Sequence, residues 1–305
     1  MVVAHLITKL GAAGAENQLR QLVLSSNRAR FRHIVISLVD GGVLTAELQV
    51  AGIETHSLGI GPDLSFVCGF GRLIPLLRSL KPQILHGWLY HGCLISLMAA
   101  KLAGVPHVLW GLRSANPQLR GYGFTTRQIV RLCAKLSSYP DIIIVNSEAS
   151  RTAHREMSYE TARMTVVPNG IDVETYRPNK DARESLLQEL GEPGGIVLIG
   201  MFARYSPMKD HETFLRSAAL VHRNNPEVRF LLAGEGIDVQ NSSLKSLIQQ
   251  NKLGGVVHLL GVRRDMPRLT AGLDIACLSS WSESFPNVVA EAMACAIPCV
   301  ATNAR

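Results

Sequence analysis

The sequence predicts an α/β protein of two doubly wound domains, each a parallel sheet covered by helices on both faces. Short, continuously apolar runs alternate with longer amphipathic ones, the pattern of strands buried on both sides and joined by crossover helices. The alternation comes as two series, parted near the middle by Pro168, Asn169, Gly170 and a polar stretch. A chain of 305 residues is also long for one compact domain and suits two of ordinary size.

In the first series, strand-like runs lie at 3–7, 34–38, 84–86, 108–110 and 142–145. Helix-like stretches separate them at 16–24, 73–80, 94–103 and 127–136. The second series has strands at 196–201, 229–233, 256–260, 275–278 and 299–301, with helices at 211–222 and 244–251. Between the series, Val167-Pro168-Asn169-Gly170-Ile171-Asp172 marks a chain reversal, and the polar run 176–183 reads as a hinge. The expected domains are therefore 1–175 and 176–305. The last strand, 298–301, is followed by only four residues and no covering helix, so the second domain is expected to be incomplete.

Composition narrows the class. An apolar fraction of 47% and a charged fraction of 18% describe a globular chain with ample core material. No apolar run reaches the roughly 20 residues that span a bilayer. Residues 1–7 read as a first strand rather than a signal peptide, since they lack a basic start and a long apolar region. Cys68, Cys93, Cys133, Cys277, Cys295 and Cys299 have no metal-ligand spacing, so reduced thiols, no metal site and a cytoplasmic location are expected. The net charge of +7 is uneven. Residues 1–178 hold 18 Lys+Arg against 11 Asp+Glu, whereas 179–305 hold 13 of each.

The densest chemistry lies at Ser282-Glu283-Ser284-Phe285-Pro286-Asn287-Val288-Val289-Ala290-Glu291-Ala292-Met293-Ala294. Pro286 fits the first turn of a helix, having no N–H to lose. The amides of Asn287, Val288 and Val289 are then expected to point out of the helix start, toward an anion or a sugar hydroxyl. Glu283 precedes the start and Glu291 lies one to two turns in, so both carboxylates are expected at one mouth. Carboxylates hold vicinal hydroxyls and a helix start holds phosphate, which together suit a sugar joined to a phosphate.

This string resembles the paired-glutamate motif of retaining GT-B glycosyltransferases of the family 4 type, and Pro168-Asn169-Gly170-Ile171-Asp172 resembles the end of that family's first domain. The resemblance spans residues 1 to 305. It implies a GT-B fold, two Rossmann-like domains facing across a cleft. It also implies transfer of a sugar from a nucleotide-diphosphate sugar to a glycan or lipid-linked acceptor, as in surface polysaccharide or glycolipid synthesis. In the family, the residue at Glu283 holds donor-sugar hydroxyls and the residue at Glu291 holds the ribose, with Phe285, Pro286, Asn287 and Val288 in the same donor-binding segment. Ser284 departs from the usual glycine, and a side chain there narrows the sugar pocket. Relatives usually continue with a further strand and helices, so a C-terminal truncation is expected.

Other motifs fit the same reading. Gly11 and Gly14 flank the turn from first strand to first helix, where glycines let a backbone approach a phosphate. This turn resembles the family's glycine loop. As a dinucleotide fingerprint it lacks a third glycine, which argues against a dehydrogenase although Asp40 follows the second strand. Arg204 and Lys209 flank the turn after the first strand of the second series, where two cations neutralise a diphosphate and stabilise it as a leaving group. With Glu283 they form the expected catalytic set, and no metal or bound cofactor is implied. Gly234 permits a tight loop near the nucleotide, and the resemblance makes Val262 and Arg263 the candidates to lie against the base. On the acceptor side, His86, Trp88, Tyr90 and His91 cluster at a strand end. Arg113 stands where many relatives place a histidine.

Two other functional readings stay open on sequence alone: a non-catalytic remnant that binds nucleotide sugars, and a GT-B sugar-nucleotide epimerase. No nucleic-acid partner is expected. A peripheral contact with the inner face of an anionic plasma membrane is. From Arg113 through Arg120, Arg127 and Arg131 to Lys135 there is no acidic residue, and Tyr122, Phe124, Ile129, Val130 and Leu132 interleave. A second segment, 64–81, sets Phe66, Phe70, Ile74, Leu76 and Leu77 beside Arg72, Arg78 and Lys81.

Overall fold

The computed structural model describes residues 1–11, 13–60, 65–116, 119 and 121–303, the side chains of 65–68 excepted. The chain divides into two units, Met1–Gly170 and Ile171–Arg305. The first contains β1 (Val2–Ile7), α1 (Gly14–Ser25), β2 (Arg32–Ser37), α2 (Val43–Val50), β3 (Glu54–Ser57) and α3 (Ser65–Leu80). It continues with β4 (Ile84–Trp88), α4 (Leu89–Ala103), β5 (His107–Leu112), α5 (Phe124–Lys135), β6 (Ile142–Val145), α6 (Glu148–Glu156) and β7 (Met164–Val166). These strands form one parallel sheet in the order β3-β2-β1-β4-β5-β6-β7.

The second unit opens with α7 (Lys180–Leu190), β8 (Val197–Phe202), α8 (His211–Asn224), β9 (Val228–Ala233) and α9 (Ser242–Gln250). It closes with β10 (Val257–Leu259), α10 (Met266–Ala271), β11 (Ile275–Leu278), α11 (Asn287–Ala294) and β12 (Cys299–Ala301). Its parallel sheet has the order β10-β9-β8-β11-β12. In each sheet the order reverses about the first strand, at β1/β4 and at β8/β11. Open α/β sheets bind ligands outside the carboxyl ends of the strands at such reversals. The fold thus marks two places for a site.

Alternate residues of each strand feed cores on opposite faces. Ala4, Leu6, Ile34 and Ile36 pack with Leu73 and Leu77 of α3 and Cys93 of α4, while Ile7 and Val35 pack with Leu19 and Val23 of α1. In the second unit, Met201, Phe230 and Leu232 meet Phe214 and Leu215 of α8, and Leu198, Phe202 and Leu231 meet Leu186 of α7 and Leu269 of α10. Each such fully buried Leu or Phe contributes roughly 2 kcal/mol of transfer free energy. Gly92 brings α4 against β1, since a Cβ there would lie 2.6 Å from the Leu6 carbonyl oxygen.

Four elements of the first unit are absent from the sequence reading. β3, with the sequence Glu54-Thr55-His56-Ser57, is a polar edge strand, and β7 is a three-residue edge strand. Edge strands bury too little to show a continuous apolar run. α2 and α6 are the other two, at eight and nine residues. The expected hinge is shorter than read. Asn179 caps α7 by accepting from the Asp181 amide (3.0 Å), so residues 180–183 are helical. Several apolar residues of the described part, 69–81, face the core rather than a surface. Leu73 and Leu77 are buried, Phe70 and Leu76 pack against the core, and Arg72 and Arg78 donate to the carbonyls of Leu58 and Leu102. The side chain of Phe66, the membrane candidate Arg120 and the last two residues fall outside the described residues. Among the described residues, no helix is long and apolar enough to cross a membrane.

Candidate active site at the second switch point

The loops after β8 and β11 leave adjacent strands and are tied together. Trp281 donates from its amide to the Met208 carbonyl (3.1 Å) and from its indole to the Pro207 carbonyl (2.8 Å). The Ser279 hydroxyl is shared by the carbonyls of Lys209 and Asp210 at 2.9 and 2.8 Å. Pro207–Lys209 form one 3₁₀ turn, and Asp210, in the left-handed conformation, accepts from Thr213 N to cap α8. Aspartate tolerates that conformation better than most residues.

This frame brings two sequence-predicted residues together. The Lys209 ammonium lies 2.5 Å from Glu283 Oε1, with the two side chains only 21% and 16% exposed. At that burial, removing one partner strands the other charge away from water, unlike at an open surface pair. The ammonium has three donors and Glu283 takes one. Arg204, on the same loop, is exposed and has no ion-pair partner among the described residues. The hydroxyls of Ser206 and Ser280, one on each loop, are buried and have no hydrogen-bond partner among the described residues. Buried polar groups without partners are rare in native proteins and mark places where a ligand or water completes the bonding.

Gly234 holds the third loop against the first. Its φ is +146°, and a Cβ would lie 2.4 Å from the Ala203 carbonyl oxygen. The Tyr205 amide donates to the Glu235 carbonyl at 2.7 Å beside it. Thus Gly234 serves the backbone that carries Arg204. The Arg263 guanidinium is turned to carboxylates instead, bonding Asp265 at 2.8 Å and Glu189 at 2.5 Å. Only its backbone, and that of the exposed Val262, remains for a base.

The start of α11 differs from expectation. Pro286 is the N-cap, one residue before the helix, and the Val289 amide is taken by the Pro286 carbonyl at 3.0 Å. This i→i+3 closure tightens the first turn, so Val289 does not present its N–H outward. Glu291 lies deeper in the helix. Burial raises its carboxyl to about 7, and hydrogen bonding with the Tyr176 phenol supports the charged form. Sequence reading missed Tyr176, because it stands in a polar run without periodicity. Ser206 and Ser280 carried no signal either.

In the first unit, Gly14 opens α1, while Gly11 has no neighbour closer than 3.7 Å among the described residues where a Cβ would sit, so none of them requires a glycine there. The acceptor-side candidates separate. His86, Trp88 and Tyr90 are buried, at 4%, 1% and 5% exposed, because β4 is central and α4 is covered on its inner face. They do not form a solvent-facing acceptor wall. His91 and Arg113 are half-buried. The Arg113 guanidinium lies 4.9 Å from the Trp88 ring and donates to Asn169 Oδ1 at 2.6 Å. Burial lowers its pKa to about 10, which keeps it cationic at neutral pH.

Behind them runs a chain of buried rings. Trp88 Nε1 donates to His5 Nδ1 (3.2 Å), His5 Nε2 meets His33 Nδ1 (2.9 Å), and His33 Nε2 meets the Ser26 hydroxyl (2.8 Å). Indole is a donor only, which fixes His5 as the Nε2–H tautomer and His33 likewise, both neutral. Burial pushes His5 and His33 down, and burial with the Arg113 charge pushes His86 to about 3.

Two parallel doubly wound units, the second with a cation–carboxylate pair at its switch point, define a protein of the GT-B type. The structure of Anabaena Alr3699/HepE in complex with UDP and glucose has the same fold: TM-score 0.85 and 24% identity over 100% of this chain and 81% of that one. Residues 12–175 match Glycosyltransferase Family 4, and residues 195–305 match Glycosyl transferases group 1. The chain belongs to Glycosyltransferase Family 4. Among curated relatives, the putative glycosyltransferase EpsF of Bacillus subtilis is 25% identical over 99% of this chain and 79% of its own length. The UDP-Gal:alpha-D-GlcNAc-diphosphoundecaprenol alpha-1,3-galactosyltransferase of Escherichia coli is 26% identical over 79% of this chain. The match spans 64% of that enzyme, under two thirds of its length.

Proposed function

We propose that the chain transfers a hexose from a uridine-diphosphate sugar, with retention of anomeric configuration, to a glycan or a lipid-linked sugar. The observation that carries this is the Lys209–Glu283 pair at the β8/β11 reversal, with the buried hydroxyls of Ser206 and Ser280 on the same two loops, which have no hydrogen-bond partner among the described residues. The name of the Escherichia coli relative, which specifies UDP-Gal and a diphosphoundecaprenol-linked acceptor, and the UDP and glucose bound to HepE support the donor and acceptor classes.

In this reading Lys209 spends its remaining donors on the donor diphosphate, and Arg204 closes on the same oxygens. Both cations stabilise the charge that grows on the departing UDP. Glu283 keeps its contact with Lys209 and accepts from donor-sugar hydroxyls. Glu291 accepts from the ribose diol, and hydroxyl donors favour its charged form against the burial that raises it to about 7. Val262 and Arg263 meet the base through their backbone. Arg113 and His91 line the acceptor side of the first unit.

Turnover separates this from its alternatives. The full chain is incubated with UDP-glucose or UDP-galactose, with and without a polyprenyl-diphosphate-linked sugar, and products are followed by NMR. The expected result is acceptor-dependent UDP release and an α-linked product. A β-linkage would contradict retention. Free sugar or an epimerised donor made without acceptor points to an epimerase, and donor binding without UDP release points to a binding remnant.

A further inference from the structure

The loop between β10 and α10 is braced from behind by a charge cluster that no sequence motif marks. Arg263 donates from Nε and Nη2 to the two oxygens of Asp265 at 2.8 Å each, and from Nη1 and Nη2 to those of Glu189 at 2.5 and 3.3 Å. Arg268 stands across the same two carboxylates. It donates to Asp265 Oδ2 from Nε at 3.0 Å and from Nη2 at 2.7 Å, to the Ser185 hydroxyl at 3.0 Å, and to Glu189 Oε2. The four charged side chains are between 23% and 37% exposed. An isolated pair at that exposure contributes little, but bidentate geometry and four linked charges make a network that resists rearrangement.

The cluster shapes the loop rather than the helix that follows. Asp265 is the N-cap residue of α10, yet its carboxylate makes no capping bond there and faces the guanidinium groups instead. Glu189 belongs to α7, so the brace comes from an element far away in sequence. Both ends of the loop are tied by backbone. Gly261, at φ +65°, donates to the Ile237 carbonyl at 2.9 Å and accepts from the Gly234 amide at 2.8 Å, and the Asp265 carbonyl accepts from Leu269 at 3.1 Å. Between these ties, the amides of Val262, Arg263 and Arg264 have no hydrogen-bond partner among the described residues. A segment tied at both ends and braced in the middle has its ordering entropy removed before a ligand arrives.

We propose that Glu189 is a positioning residue for the nucleoside: acting through Arg263, it fixes the 262–264 backbone so that its amides meet the donor's base and tell uracil from cytosine. Uracil presents a carbonyl oxygen where cytosine presents an amino group, so an amide held against that position accepts one base and rejects the other. A backbone edge in one fixed conformation makes this distinction, and a loose one adapts to both. Glu189 itself is turned to Arg263 and Arg268 and does not touch the base. The inference deepens the transfer reading, on which the place of the base depends.

The test is calorimetric titration of the full chain with uridine, cytidine and UDP, with amide exchange of the ligand-free proteins followed by mass spectrometry. Glu189→Ala should weaken uridine about tenfold, the penalty for ordering roughly one residue of backbone at binding, and narrow the preference for uridine over cytidine. The ratio of UDP to uridine affinity should stay in place, because Arg204 and Lys209 are untouched. Amides of 262–264 should exchange faster. In an Arg263→Ala background, Glu189→Ala should add nothing, as expected of a residue that acts through Arg263. Glu189→Gln, of the same shape, should shift uridine in the same direction and serves if the alanine variant does not fold. Glu192→Ala is the control. It removes a neighbouring carboxylate that holds Arg229 and His258 at 2.9 Å each, and should lower the thermal midpoint without moving uridine affinity. Unchanged uridine affinity in the Glu189 variants overturns the inference, as does an equal loss in Glu192→Ala or equal wild-type affinity for uridine and cytidine. A wild type that binds neither UDP nor uridine overturns the transfer reading and this inference together.

Discussion

Lys209→Ala is expected to slow transfer by about 10²–10³-fold, the range for removing one preorganised group that stabilises charge in the transition state. Two effects combine. The diphosphate loses a cation, and the Glu283 carboxylate, 16% exposed, loses the partner 2.5 Å away and faces an anionic donor instead. The second effect makes the variants non-additive. Lys209→Ala/Glu283→Ala should bind UDP better than Lys209→Ala alone, because the stranded carboxylate is gone, while transfer stays low in both. Steady-state kinetics with UDP affinity measured in parallel decide this. If UDP affinity in the double variant falls by the product of the two single losses, the two groups do not act as a unit.

The second large effect is acid sensitivity of the first unit. His86 and His154 are buried and neutral, with pKa values pushed by burial to about 3 and about 4 from an ordinary 6.5. His5 and His33 shift in the same direction. The unfolded chain takes up protons on these groups as pH falls through 6.5, while the folded chain does not, so stability is full above that pH and declines below it. The loss continues down to the folded values. At pH 4, His86 and His154 each cost roughly 3 kcal/mol, together comparable with the whole stability of a domain. The Trp88 and Trp110 indoles, 1% and 0% exposed in the first unit, give the readout. Their fluorescence should report a urea midpoint that drops steeply between pH 7 and pH 5. A flat midpoint over that range would contradict the neutral histidine core.

The strands that form the two sheet centres were legible because burial on both faces writes an unbroken apolar run, as in Ile34-Val35-Ile36 or Phe230-Leu231-Leu232-Ala233. Polar β3, short β7 and α7, hidden in a run that looks like a hinge, lacked such a mark. At the site, Lys209 and Glu283 stood 74 residues apart, and only the adjacency of β8 and β11 turns them into a pair. Their residue types and positions at strand ends were visible, but their contact was not. His86 shows the opposite limit. A histidine at a strand's carboxyl end reads as a candidate contact, yet packing against Trp88 at 4.7 Å and against His5 at 5.4 Å makes it part of the interior.

The claim that the second unit's β8/β11 reversal receives the donor diphosphate is tested most directly by calorimetric titration of the full chain with UDP and with uridine. Each charge-assisted hydrogen bond to a phosphate contributes roughly 1.5–3 kcal/mol, so UDP should bind at least about tenfold more tightly than uridine. Lys209→Ala and Arg204→Ala should each shrink that ratio while leaving uridine affinity in place. Equal affinity for UDP and uridine, or a ratio unchanged in both variants, would place the diphosphate elsewhere.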